Sequence, residues 1–177
     1  MNTMRRLILV ASMLASFGVF ASQGSEFSKL TPHEALDEAN AMFRTGEASI
    51  QVKPTKIVGQ FKDGSLGAVP LEKEFLVSIA PYLNKMHPCD MHLPTGCTGE
   101  LQNEKMGVTV DDKDSHRQLL FKMAKTNPNG FIDLWLPRDR EHLEIIVNYK
   151  GKKATKVIGT SIMDNTCITD MKLESVS

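Results

Sequence analysis

The sequence predicts an α+β fold, in which a small N-terminal helix-plus-sheet domain is followed by a C-terminal antiparallel β-sandwich. A capped amphipathic helix is expected near residue 31, and short strands follow it. From Gly99 onward the pattern is almost purely β, with turn signals every eight to twelve residues or so, as in sandwiches and barrels. We expect the division into domains at residues 22–85 and 86–177.

Residues 1–21 resemble a secretory signal peptide. Arg5 and Arg6 form a basic start, residues 7–20 form an apolar stretch too short to span a membrane, and small residues precede a cleavage point after Ala21. No later apolar run approaches the length of a membrane span. We therefore expect an exported chain with no membrane segment in its mature form.

The predicted helix begins at a capping box. Thr31 is the expected N-cap, Pro32 fits the first helical position, and Glu34 fits the third. Apolar residues then recur along one face, and Gly46 is the expected stop. Residues 22–28 are polar and are expected to be frayed.

Alternating apolar residues predict the strands. In the N-terminal domain they are expected at 49–53, 57–61 and 75–80. In the C-terminal domain they are expected at 106–110, 118–125, 131–136, 143–149, 153–158 and 167–173, with a hairpin at the Asn-Pro-Asn-Gly sequence 127–130. The Val-Thr-Val strand, this hairpin and the Trp-containing strand resemble transthyretin-like sandwich domains, a likeness that concerns the fold alone.

Charge argues against one class of partner. The chain has 21 basic and 21 acidic residues, and loss of Arg5 and Arg6 with the leader gives a net charge of −2. Proteins that bind nucleic acid usually present a basic surface. We therefore expect no nucleic-acid partner.

The most informative segment is His87-Pro-Cys-Asp-Met-His92 with Cys97 shortly after it. It contains two of the three cysteines and two of the five histidines of the chain. Thiolate favours Cu(I) and Zn, and imidazole suits Cu and Zn. Proline and glycine within the segment predict a loop, on which unevenly spaced ligands can converge. His33, His116 and His142 are interpreted as surface residues.

Three cysteines in an exported protein leave one thiol over after any disulfide forms. Cys89 and Cys97 could form a local disulfide, or Cys167 could tie the last strand to the loop. If all three converge, a disulfide beside a third thiol permits thiol–disulfide exchange, and the reduced form offers a three-thiolate metal site. The residues alone leave the pairing open.

The chain is similar to members of the CueP family of periplasmic copper-resistance proteins. The order of His-x-Cys-x-x-His-x4-Cys and a late Thr-Cys-Ile-Thr is the specific part of the likeness. The stretches that support it are Ser78-Ile-Ala-Pro-Tyr82, His87-Pro-Cys-Asp-Met-His92, Gly96-Cys-Thr-Gly-Glu-Leu101, Asn129-Gly-Phe131, Asp133-Leu-Trp-Leu-Pro-Arg-Asp139 and Thr166-Cys-Ile-Thr169.

The resemblance implies a periplasmic protein of copper tolerance, with Cys89, Cys97 and Cys167 as key thiols and His87 and His92 as neighbouring ligands. It implies a two-domain protomer that is often dimeric. It further implies reduction of Cu(II) by thiols, which would make the protein at most a thiol-dependent Cu(II) reductase, and transfer of copper to a periplasmic superoxide dismutase. A disulfide reductase would be needed to restore the thiols.

Two other functions stay open on the sequence. The protein could be a thiol–disulfide oxidoreductase, although it lacks a Cys-x-x-Cys motif. It could also be an envelope binding module whose cysteine pair is structural. Zinc is a chemical substitute for copper at such a site.

Overall fold

The structure is a computed structural model that describes residues 21–176. The predicted leader falls on residues outside this range, apart from Ala21, so the leader and its cleavage stay predictions. Among the described residues, no helix combines the length and the apolar character needed to cross a membrane.

Strands dominate the described residues, which confirms the β-rich α+β class. The helices are α1 (Gln23–Phe27) and α2 (Pro32–Ala41). The strands are β1 (Ala48–Lys53), β2 (Lys56–Phe61), β3 (Leu66–Pro70), β4 (Glu74–Ile79), β5 (Lys105–Asp112), β6 (Arg117–Lys125), β7 (Ile132–Pro137), β8 (Leu143–Tyr149), β9 (Lys152–Ile158), β10 (Cys167–Ile168) and β11 (Glu174–Ser175).

The capping box that the sequence predicts is present at the start of α2. The Thr31 hydroxyl accepts the backbone N–H of Glu34, and the Glu34 carboxylate accepts the backbone N–H of Thr31. The helix ends at Ala41, earlier than the predicted stop at Gly46. Residues 42–46 form turns instead, and Arg44 there has a positive φ of 58° and donates its N–H to the carbonyl of Thr95.

The strands form three sheets. β1, β2 and β3 form an antiparallel sheet that packs against both helices. A second sheet has the order β10-β4-β7, and a third has the order β11-β9-β8-β5-β6. The expectation of a wholly antiparallel sandwich is wrong in one place, because the two-residue strand β10 runs parallel to β4 after a long connection from β9. The transthyretin-like topology stays a prediction.

The β10-β4-β7 sheet is the middle layer of the molecule. Phe75, Val77 and Ile79 of β4 contribute to the core shared with the five-stranded sheet. Leu76 points to the opposite face and joins the core of the N-terminal helices and sheet. A strand with side chains on alternate faces can contribute to two cores in this way.

Strand β4 lies before the boundary expected at residue 85, yet it pairs with β7 and β10, which lie after it. The division into domains stays a prediction. The hydrogen bonds of β4 join residues on the two sides of the expected boundary. The predicted strand at 167–173 is also shorter than expected, since β10 ends at Ile168 and Lys172 forms a single bridge with Tyr82.

We expect Leu76→Ala to lower the free energy of unfolding by about 2–5 kcal/mol, because it opens a cavity where the middle sheet meets the N-terminal core. Urea unfolding measures the effect. Leu66→Ala is the matched control, since Leu66 is 75% exposed and its loss should change stability by less than about 0.5 kcal/mol. Equal effects of the two changes would contradict the role assigned to Leu76.

Candidate metal centre

The three cysteines converge. The Sγ atoms of Cys89, Cys97 and Cys167 all lie within 4.8 Å of one another, and the Cys89 and Cys97 sulfurs are 3.0 Å apart. All three are free thiols. Cys167 is buried, whereas Cys89 and Cys97 are partly exposed. The cluster therefore joins one buried cysteine to two partly exposed cysteines.

Strand pairing places Cys167. It is the first residue of β10 and pairs with Ser78 of the middle sheet. Ala80 and Phe131 form with Cys167 a small buried cluster, against which Cys89 and Cys97 pack. Cys89 and Cys97 lie on the connection between β4 and β5, so one fixed strand and one loop supply the thiols.

The edge of the N-terminal sheet holds this loop in place. The N–H of Val52 on β1 donates to the carbonyl of His92 at 2.8 Å. The N–H of Ile50 donates to the hydroxyl of Thr95 at 3.1 Å. The N–H of Arg44 donates to the carbonyl of Thr95, also at 3.1 Å. The loop thus satisfies backbone groups that an edge strand would otherwise leave open.

Glu100 fixes the start of the same connection. Its carboxylate accepts the backbone N–H groups of Leu83 and Asn84 and the side-chain amide of Asn84. Burial acts to raise the pKa of Glu100, but the backbone N–H bonds and the Asn84 amide together outweigh it and lower the pKa. A carboxylate bound in this way stays ionised and keeps the segment before His87 close to the segment after Cys97.

His92 lies against the thiol cluster. It is fully buried, its Nδ1 is 4.0 Å from the Cys167 sulfur, and its ring packs on Phe131 with centroids 4.5 Å apart. Its backbone N–H contacts the hydroxyl of Thr166, which donates to the carbonyl of Val52. Its Nε2 is a buried atom with no hydrogen-bond partner among the described residues.

The other histidines are distributed differently. His87 is exposed, two residues before Cys89, and the group of converging thiols does not include it. His33, His116 and His142 are exposed as well, which confirms their interpretation as surface residues. The structure thus brings the three cysteines and His92 together and leaves His87 at the surface.

The pKa values of the three thiols are shifted in different directions. Hydrogen bonds with Cys167, Cys89 and His92 lower the pKa of Cys97 well below its usual value, against the opposing effect of burial. The hydrogen bond with Cys167 lowers the pKa of Cys89, but the hydrogen bond with Cys97 and burial outweigh it. The net effect raises the pKa of Cys89 to about 12. Hydrogen bonds to both neighbours and burial raise the pKa of Cys167 strongly. Cys97 is therefore the first of the three thiols to lose its proton, and a metal bound by all three sulfurs must also displace the protons of Cys89 and Cys167.

The sulfur spacing suits a metal ion. Metal–thiolate bonds are about 2.3 Å long, which puts the sulfurs of a three-coordinate site about 4 Å apart. The observed limit of 4.8 Å requires only small movements to reach that distance. The site is soft in character and matches Cu(I) or Zn(II).

Comparisons with known proteins agree with this donor set. The family model described as periplasmic copper-binding protein CueP matches residues 33–172. The chain belongs to the CueP family. A solved structure, the crystal structure of S. CueP, is similar with a TM-score of 0.77 and 30% sequence identity, and the match covers 88% of this chain and 99% of that one. No match was found among curated proteins.

Sequence reasoning missed several residues that build this CueP site. Thr166 links the strand of Cys167 to β1 and to His92, and Thr95 links the loop to the N-terminal unit. Asn129 contacts the loop from the far side. Thr166 and Asn129 occur in the stretches that support the family likeness, but nothing in their local sequence indicates contacts over distances of 35 to 114 residues.

A close backbone contact brings the end of the loop against the 127–130 turn. A Cβ atom at Gly99 would lie 2.6 Å from the carbonyl oxygen of Gly130, whereas one at Gly96 would meet nothing within 4 Å. We expect Gly99→Ala to destabilise the protein by about 1–3 kcal/mol through this clash.

Gly96→Ala is the matched control and should be neutral or stabilising by up to about 1 kcal/mol. Thermal unfolding of both variants measures the difference. An unchanged midpoint for Gly99→Ala would contradict the close contact.

Proposed function

We propose that the protein binds Cu(I) in the bacterial periplasm through the thiolates of Cys89, Cys97 and Cys167, with His92 as a further ligand. The convergence of the three sulfurs is the observation that supports this function most directly. Membership of a family of periplasmic copper-binding proteins favours copper over other soft metals. His87 stays a predicted ligand, and its exposure would put it on the solvent side of the site.

The proposal extends to reduction of Cu(II). Cys89 and Cys97 have sulfurs 3.0 Å apart, so little movement separates the two thiols from a disulfide, whose S–S bond is about 2 Å long. Two Cu(II) ions each take one electron from the thiols and become Cu(I). The two sulfurs form one S–S bond, and one proton is released from Cys89, because Cys97 reacts as the thiolate. Cys167 and His92 then stay available to hold Cu(I).

Partners follow from the chemistry and from the family resemblance. One disulfide closes for every two copper ions reduced, so turnover needs a disulfide reductase as a partner. Copper transfer to a periplasmic superoxide dismutase and a homodimeric state are proposals that rest on the resemblance, whereas export by the leader is a proposal that rests on the sequence of residues 1–21. The partial exposure of Cys89 and Cys97 supports transfer, because an accepting ligand can approach the site from their side.

We expect the reduced protein to compete with a chromophoric chelator for Cu(I), and each of Cys89→Ser, Cys97→Ser and Cys167→Ser to bind at least about 100-fold more weakly. Loss of a direct ligand should cost no less than the 10–100-fold typical of supporting residues. His33→Ala is the control, because His33 is exposed and outside the thiol cluster. Wild-type affinity in all three cysteine variants would overturn the proposal, and stronger competition by Zn(II) would reassign the metal.

The redox step is tested by adding Cu(II) anaerobically and counting both Cu(I) and free thiols. We expect two Cu(I) ions to form for every two thiols lost, with the disulfide between Cys89 and Cys97 identified by mass spectrometry. Cys89→Ser and Cys97→Ser should abolish this phase, whereas Cys167→Ser should retain it. Turnover of dithiol substrates without copper would instead favour the oxidoreductase.

A further inference from the structure

We propose that Asn129 is a positioning residue that fixes Cys97 relative to Cys89 and Cys167, an inference that deepens and rests on the proposed copper site. Asn129 lies in the turn between β6 and β7 and is 1% exposed. It is not one of the predicted metal ligands. Its contacts nevertheless enclose the segment that contains Cys97.

Asn129 binds the loop on both sides of Cys97. Its side-chain Nδ2 donates to the carbonyl of Pro94 at 3.1 Å, three residues before the cysteine. Its backbone carbonyl accepts the N–H of Gly99 at 2.6 Å, two residues after the cysteine. Because both bonds end on one residue, they hold residues 94–99 as a unit and limit the movement of the Cys97 sulfur.

The turn that contains Asn129 is itself rigid. The N–H of Phe131 donates to the side-chain oxygens of Asn127 at 2.8 Å and of Asn129 at 3.3 Å. Gly130 has a φ of +87°, a conformation that favours glycine. The Phe131 ring packs on His92 and lies in the buried cluster of Cys167. The residue that follows the turn therefore contacts both the loop, through His92, and the strand β10, through Cys167.

A polar network ties this turn to the middle sheet. The carboxylate of Asp133 on β7 accepts the Ser78 hydroxyl at 2.5 Å, the Asn40 amide at 3.0 Å and the Asn127 amide at 3.3 Å. Ser78 is the residue that pairs with Cys167. A chain of hydrogen bonds therefore runs from the strand beside Cys167 to the turn, and through Asn129 to the loop of Cys97.

The decisive variant is Asn129→Asp, which keeps the size of the side chain but replaces the donor that faces the Pro94 carbonyl with a second acceptor. We expect Cu(I) affinity to fall about 10–100-fold, the range found when supporting residues of metal sites are changed. X-ray absorption should show fewer sulfurs per bound copper than in wild type. Asn148→Asp makes the same change at an exposed position on β8 and should alter neither value.

A purely structural role for Asn129 predicts something else. Phe27→Ala is expected to destabilise the fold by removing a buried ring that packs on Phe61, and neither residue belongs to β4 or to the loop, so it should leave the sulfur count unchanged. If Asn129→Asp folds and matches wild type in affinity and sulfur count, the inference is wrong. If it does not fold, Asn129→Ala, which removes the donor without adding charge, takes its place under the same criteria.

A copper-free measurement separates this inference from the proposed function. Equilibration with glutathione reports how closely the thiols are held, because proximity raises their effective concentration for forming a disulfide. We expect Asn129→Asp to shift that equilibrium about tenfold toward the free thiols. Failure of wild type to bind Cu(I) would remove the copper function alone, whereas an unshifted equilibrium in the variant would remove the role of Asn129.

Discussion

The burial of β4 on both faces is the constraint on which the rest of the structure depends. Phe75, Val77 and Ile79 fill the core toward the five-stranded sheet, and Leu76 fills the core toward the N-terminal helices. A shift of one residue in the register would exchange these faces. Ser78 faces the same side as Leu76 by alternation, and it is the residue that pairs with Cys167. Correct packing of two cores therefore fixes the position of the buried thiol.

The site also contains a buried polar atom that lowers the stability of the fold. The Nε2 atom of His92 is buried and has no partner among the described residues. Leaving such a group unsatisfied costs about 1–3 kcal/mol. Packing on Phe131 and the backbone bonds to Val52 and Thr166 keep the ring there. The nitrogen that lies near the thiols is Nδ1, 4.0 Å from the Cys167 sulfur, so the proposed use of His92 as a ligand rests on Nδ1, whereas the unpaired Nε2 has no explanation in the described residues.

Local patterns predicted the long strands and the start of α2, because alternation and capping act within a few residues. They missed α1, a five-residue polar helix, and β3, whose Gly67 and Pro70 weaken a strand pattern. The Cys89–Cys97 spacing predicted a shared site, and the structure brings these sulfurs together with Cys167. The positioning role proposed for Asn129 could not be predicted, since the Asn-Pro-Asn-Gly sequence is already accounted for by a turn.

Burial separates the three thiols into two kinds. Cys167 lies on a strand and is 2% exposed, so under the proposed function it would be the ligand that an incoming molecule reaches least easily. Cys89 and Cys97 lie on a loop and are partly exposed, so an incoming ligand can replace them one at a time. A protein that passes copper on under the proposed function needs both kinds of ligand. Under that proposal, the buried cysteine would keep the ion from escaping, and the loop cysteines would provide the side on which exchange takes place.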